Sequence, residues 1–166
     1  MLVPQEEGVR EMSVLPFLDW LGTSALAKAM NGPEWAFPVI QCFHFFGFAL
    51  LIGTITIVDL RLLGGGMRRQ SPADLAKDLK PWTWTGLAFM LTTGPAMFAT
   101  DPRLYYFNPS FRFKITCLLL AILYHFTIHR WVIRPAVAPI VGKLAAVVSL
   151  ALWIAVVAGG RMIAFV

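Results

Sequence analysis

The chain has 166 residues, 58% of them apolar and 14% charged, where a soluble domain carries roughly 45–50% and about 25%. With a mean hydropathy of +0.69, this excludes a water-soluble globule, and two cysteines outside any CxxC pair exclude a disulfide scaffold. The net charge of +5 comes from 14 basic and 9 acidic residues spread over short loops, which excludes the gathered basic face of a nucleic-acid binder.

Residues 1–33 form a segment outside the bilayer. They lack a basic opening, carry Glu6 and Glu7 early, and have no long apolar stretch before a small-residue cleavage site, so they do not read as a cleaved signal. Leu18, Leu21, Ala25 and Leu26 recur at helical spacing, with Asp19, Thr23 and Lys28 largely elsewhere. That pattern predicts an amphipathic helix lying on the membrane surface. Asn31-Gly32-Pro33 then turns the chain.

Residues 34–166 predict an all-α, integral membrane four-helix bundle. A span needs about 20 mostly apolar residues. Trp35 to Val58 supplies 24 without formal charge, and Trp82 to Thr100 supplies 19. Between Lys114 and Arg130 there are 15, enough if Arg112, Lys114 and Arg130 extend toward the interfaces. Lys143 and Arg161 bracket 17 more. The spans are therefore placed at about 35–58, 82–100, 111–133 and 144–164. Gly64-Gly65-Gly66 and Ser71-Pro72 mark the first loop, with a short helix start at Pro72-Ala73-Asp74; Asp101-Pro102 and Asn108-Pro109 bound the second.

Orientation follows Lys and Arg. Arg61, Arg68, Arg69, Lys77, Lys80, Arg130, Arg134 and Lys143 fall on one side, and Arg10, Lys28, Arg103, Arg112, Lys114 and Arg161 on the other. This eight-to-six balance puts the first loop in the cytoplasm and both termini outside.

All three histidines lie in or at the edge of spans, where ionisable groups are costly and usually mark function. His44 shares a helical face with Gln41 and Gly47. His125 and His129, four apart, share a face that extends back through Ala121 and Leu118 to Lys114. Imidazoles on two helices suit haem iron, and an i, i+4 pair suits a transition metal. The expected cofactor-binding set is His44, His125, His129, Lys114 and Gly47, with His44 and His125 as the metal ligands of haem b. Gly53, Gly86, Gly94, Ala121 and Gly159 offer further places where a backbone could approach a porphyrin. Depth counts against a single iron: His44 is about 13 Å and His125 about 24 Å from the outer helix ends.

Asp59 and Arg61 read as a local ion pair or headgroup anchor, or as a bridge to another helix. Trp82, Trp84, Tyr105, Tyr106 and Phe107 read as membrane-interface aromatics, and the last three, with Arg103, offer a surface for quinone or a partner. Cys42 and Cys117 read as packing residues. No methionine cluster marks a copper path, and no phosphate loop, nucleophile–base pair or carboxylate pair is present.

The runs HFFGFALLIGTITIVDLRLLGG from His44, PWTWTG from Pro81 and NPSFRFKITCLLLAILYH from Asn108 resemble a family of bacterial four-helix membrane proteins. That family is similar in turn to the membrane domain of copper-resistance protein D and to the HemJ-type protoporphyrinogen oxidases. The resemblance covers about residues 35–165. It implies b-haem held by a first-helix histidine, matching His44, with a third-helix lysine also important, matching Lys114. The long N-terminal segment and His129 depart from the HemJ pattern. The expected function is a cytochrome-like b-haem protein of the bacterial inner membrane that transfers electrons, with quinone, a second copy or a larger complex as partner. Any enzymatic role would be that of a haem-dependent oxidoreductase. The alternatives are a copper-handling protein like copper-resistance D and a structural subunit without cofactor.

Overall fold

The computed structural model describes residues 5–66, 69–134 and 137–165, with side chains from residue 14 onward. Arg68, counted above toward the basic loop, lies outside the described residues, and the side chain of Arg10 does too. Among the described residues all regular structure is helical.

The N-terminal segment is two helices rather than one, α1 (Gln5–Gly22) and α2 (Ala25–Asn31). Gly22-Thr23-Ser24 breaks the run, because the Ser24 hydroxyl accepts the Ala27 N–H at 3.2 Å and starts a new helix. The break resets the helical register. Leu18 is buried as expected, but Ala27 and Met30 replace Ala25 and Leu26 on the buried side. Both helices dock on the end of the next long hairpin. The Arg103 Nε and Nη2 atoms each donate to the Asp19 carboxylate at 2.6 Å, and Asn31 donates to the Thr100 carbonyl at 3.0 Å.

Helix α3 (Ala36–Leu62) carries the first apolar run. Helix α4 (Pro72–Thr100) begins ten residues before Trp82, so the expected short start at Pro72 is the first turn of one long helix. Ser71 caps it by accepting the Asp74 N–H at 3.1 Å, and Pro72 sits in the first turn, where a missing N–H costs nothing. Pro81 and Pro95 lie inside α4 and leave the Lys77 and Leu91 carbonyls without their helical donors. Helices α5 (Pro102–Phe107) and α6 (Pro109–Tyr124) follow, the latter capped by Asn108. The third run then passes through a π-helical turn (His125–His129) into α7 (Arg130–Val132). Helix α8 (Pro139–Met162) ends in a 3-10 turn (Ile163–Phe165).

Among the described residues, three helices are long and apolar enough to cross a membrane: Ala36–Leu62, Pro109–Val132 and Pro139–Phe165. Helix α4 has the length, but Thr, Pro, Gly and Trp dilute its apolar residues. Large aliphatic side chains stand well exposed along the spans, Leu119 at 63% and Ile154 at 66%. Such a surface is stable against lipid rather than water.

The long helices associate through small residues, as lipid-embedded helices do. Helices α3 and α4 touch at Gly47 and Gly86: a Cβ on Gly86 would stand 2.7 Å from both the Gly47 carbonyl and the Leu51 N atom. Helix α6 lies on α8, where Gly159 leaves room for the Lys114 backbone. Between the two pairs lies a core of Leu51, Ile55, Leu87, Met90, Cys117, Ala121, Trp153 and Val156. Helix α4 meets the α6 side through aromatic rings, Phe98 on Phe111 at 5.4 Å and Trp84 on Phe126 at 5.3 Å.

Candidate functional site

His44 is buried on α3 against α4. Its Nδ1 lies 2.8 Å from the Thr93 hydroxyl, and that hydroxyl donates its single proton to the Phe89 carbonyl one turn back. Thr93 therefore accepts from His44, which puts the imidazole proton on Nδ1 and leaves the Nε2 lone pair open. A ligating histidine is held in this manner, with one nitrogen bonded to the protein and the other presented. Gly94 adjoins the ring without a side chain of its own; a Cβ there would meet Cε1 at 3.6 Å. At the same end of the helices, Lys114 lies along Gly159 and Gly160, its Nζ 3.6 Å from where a Gly160 Cβ would be.

A second centre lies at the other end of α3. His129 Nε2 donates to Asp59 Oδ1 at 2.7 Å, with the side chains 2% and 0% exposed. The π turn holds the His125 ring over His129, centroids 5.1 Å apart and planes at 27°. Among the described residues, two buried polar atoms here have no partner, Asp59 Oδ2 and His125 Nδ1. Beside them is a cavity of about 220 Å³, bordered by Thr54, Thr83, Trp84, His125 and His129.

The two centres are separate. From His44 to Asp59 is 15 residues of α3, about 22 Å at helical rise. His125 borders the cavity together with Thr54 and Ile55, the level of α3 about 15 Å beyond His44. The structure thus does not bring His44 and His125 together as axial ligands of one iron. His129 is not a free ligand, because Asp59 holds its Nε2. Gly47 meets Phe89 and the Gly86 carbonyl of α4, so it closes the helix pair rather than making room for a cofactor. Among the described residues no three His, Cys, Asp or Glu side chains converge as a metal site.

Asp59 and Arg61 do not pair with each other. Two residues apart on a helix, their side chains diverge; Asp59 turns inward to His129, while Arg61 donates to the Gln70 carbonyl at 2.8 Å. Of the residues read as a surface for quinone or a partner, Arg103 is bound by Asp19 and Tyr105 packs with Phe98 and Phe111, while Phe107 stands exposed. Thr93 and the Thr83–Thr54 hydrogen bond of 2.9 Å were not singled out in the sequence. Hydroxyls in the middle of an apolar run were the only signal for them.

These features define a helical membrane protein with a polarised histidine at one end and a buried histidine–aspartate pair at the other. The chain belongs to the DUF6644 family, a family of unknown function, which matches residues 17–166. No curated protein and no solved structure matches it.

Proposed function

We propose that the protein is a b-type haem protein of the bacterial inner membrane that transfers electrons, with quinone as its exchange partner. The observation that carries this reading is His44, fixed by Thr93 through Nδ1 with Nε2 open, inside an apolar helix pair. Haem bound there would supply a one-electron iron couple. His44 would hold it through Nε2, and Lys114, at the same end of the helices, offers a cation for a propionate. His125 and His129 take no part in that site. The resemblance to copper-resistance protein D and to the HemJ-type oxidases agrees with these two residues.

The reading takes α4 as a fourth span, completing a four-helix bundle. Its hydroxyls support this: Thr92, Thr93 and Thr100 donate to carbonyls of their own helix and Thr83 donates to Thr54 of α3, so they enter hydrocarbon already satisfied. The end of the α3–α4 pair that carries Arg61, Arg69, Lys77 and Lys80 then faces the cytoplasm.

The test is an absorption spectrum of detergent-purified protein, oxidised and then dithionite-reduced. A Soret band that is lost in His44→Ala is expected. Thr93→Val should keep the band but weaken haem retention, by about 10–100-fold as for other groups that orient a ligating histidine. A colourless, folded wild type, or an unchanged band in His44→Ala, overturns the proposal. Bound copper without porphyrin would favour the copper-handling alternative.

A further inference from the structure

We propose that the cavity beside His125 is a binding site for the single-ring headgroup of a quinone. This deepens the electron-transfer reading and rests on it for the partner class, but not on haem at His44.

Size comes first. An apolar cavity of about 150 Å³ accepts benzene, so about 220 Å³ suits one substituted ring and is too small for a macrocycle. Part of the wall is flat and apolar: the Trp84 and Phe126 rings, 5.3 Å apart and tilted by 40°, line the cavity together with Ile55 and Val58 of α3.

Polarity comes second. The Thr83 hydroxyl donates to Thr54, and Thr54 to α3 carbonyls, so neither hydroxyl has a proton to spare. His125 Nδ1 does lack a partner. A buried nitrogen without a partner is costly, and because His125 borders the cavity, a ring carbonyl that accepts an imidazole N–H there removes that cost. Asp59 acts further back: by holding His129, which stacks on His125, it positions the His125 ring.

Access comes third. Trp84, which lines the cavity from α4, is half exposed, so an aliphatic tail that leaves past it enters lipid. Lys77, Lys80 and Arg130 stand at the rim, and no carboxylate is among its described lining residues. That favours an oxygen-rich head over a cationic ligand. A lipid phosphate would satisfy the rim alone and leave the aromatic interior empty, so the ring is the better occupant.

The experiment uses the full chain in detergent and decylbenzoquinone, a one-ring quinone with a short tail, in equilibrium dialysis. Saturable binding is expected, weakened tenfold or more by His125→Phe. If that variant does not fold by circular dichroism, Trp84→Ala takes its place with the same expected loss. Absence of saturable binding to folded wild type overturns the proposal, as does binding that is indifferent to both substitutions. Displacement of the quinone by dihexanoyl phosphatidylglycerol, abolished by Lys80→Ala, would assign the cavity to an anionic lipid. The two readings fail separately. A colourless wild type that still binds the quinone sinks the haem proposal alone, whereas a coloured wild type whose quinone binding ignores His125 and Trp84 sinks this one alone.

Discussion

Asp59 illustrates how a residue's worth in this protein depends on its partner. It is fully buried and held by His129, with its second oxygen unpartnered. Removing one member of a buried pair typically costs about 3–5 kcal/mol, while replacing both by apolar residues is often neutral. Asp59→Leu and His129→Leu should each lower the thermal midpoint in detergent by several degrees, and the double variant should recover most of it. Additive losses would show that the pair contributes nothing as a pair. The exposed Asp19–Arg103 pair behaves differently. The hydrogen bonds from Arg103 hold the Asp19 carboxyl below its ordinary value of 3.8, so the contact is intact above that pH and is lost as pH falls through the lower, folded-state value. Protection factors for hydrogen exchange in residues 14–22 should therefore drop below pH 3.8, and Arg103→Ala should remove that pH dependence. In the sequence, the histidines were legible as functional candidates because charge in hydrocarbon is costly. Their partners were not, since Thr93 and Asp59 lie 49 and 70 residues from the rings they bind.

Among the elements, the α3–α4 pair is set by two glycines that the sequence alone could assign either to a cofactor or to packing. A Cβ on Gly86 meets backbone atoms at 2.7 Å, and backbone cannot rotate away. Gly86→Ala should force the helices apart and cost about 1–3 kcal/mol. Gly53 has nothing within 4 Å of the same position, so Gly53→Ala should be neutral or stabilise by up to about 1 kcal/mol. Thermal unfolding of the two variants side by side checks the contrast; equal effects would refute the close approach. The apolar runs located α3, α6 and α8 well, because their length is dictated by the bilayer. The expected span at 82–100 and the expected helix start at Pro72 belong to one helix, α4, because its cap at Ser71 and its packing on α3 carry it through Lys77, Lys80 and Pro81. The π turn had no sequence signature, because one extra residue per turn leaves the composition unchanged.

For the whole molecule, the two helix pairs meet over Trp153, which is 3% exposed. Trp153→Ala should cost about 3–5 kcal/mol, as large-to-small core changes do, read as a lower unfolding midpoint. Topology gives a separate prediction. With Cys42 and Cys117 replaced by Ser, a cysteine at Ser71→Cys should react with a membrane-impermeant maleimide only in inverted vesicles; labelling in right-side-out vesicles would reverse the proposed orientation. Composition and charge-free run length determined on their own that this is a helical membrane protein, because hydrocarbon admits few other ways to satisfy a backbone. Which histidine faces which partner was decided only when the chain folded. A hydrogen bond between helices depends on their rotation and depth, and neither is written in any single stretch of residues. The tertiary structure therefore separated His44 from His125 and joined His129 to Asp59.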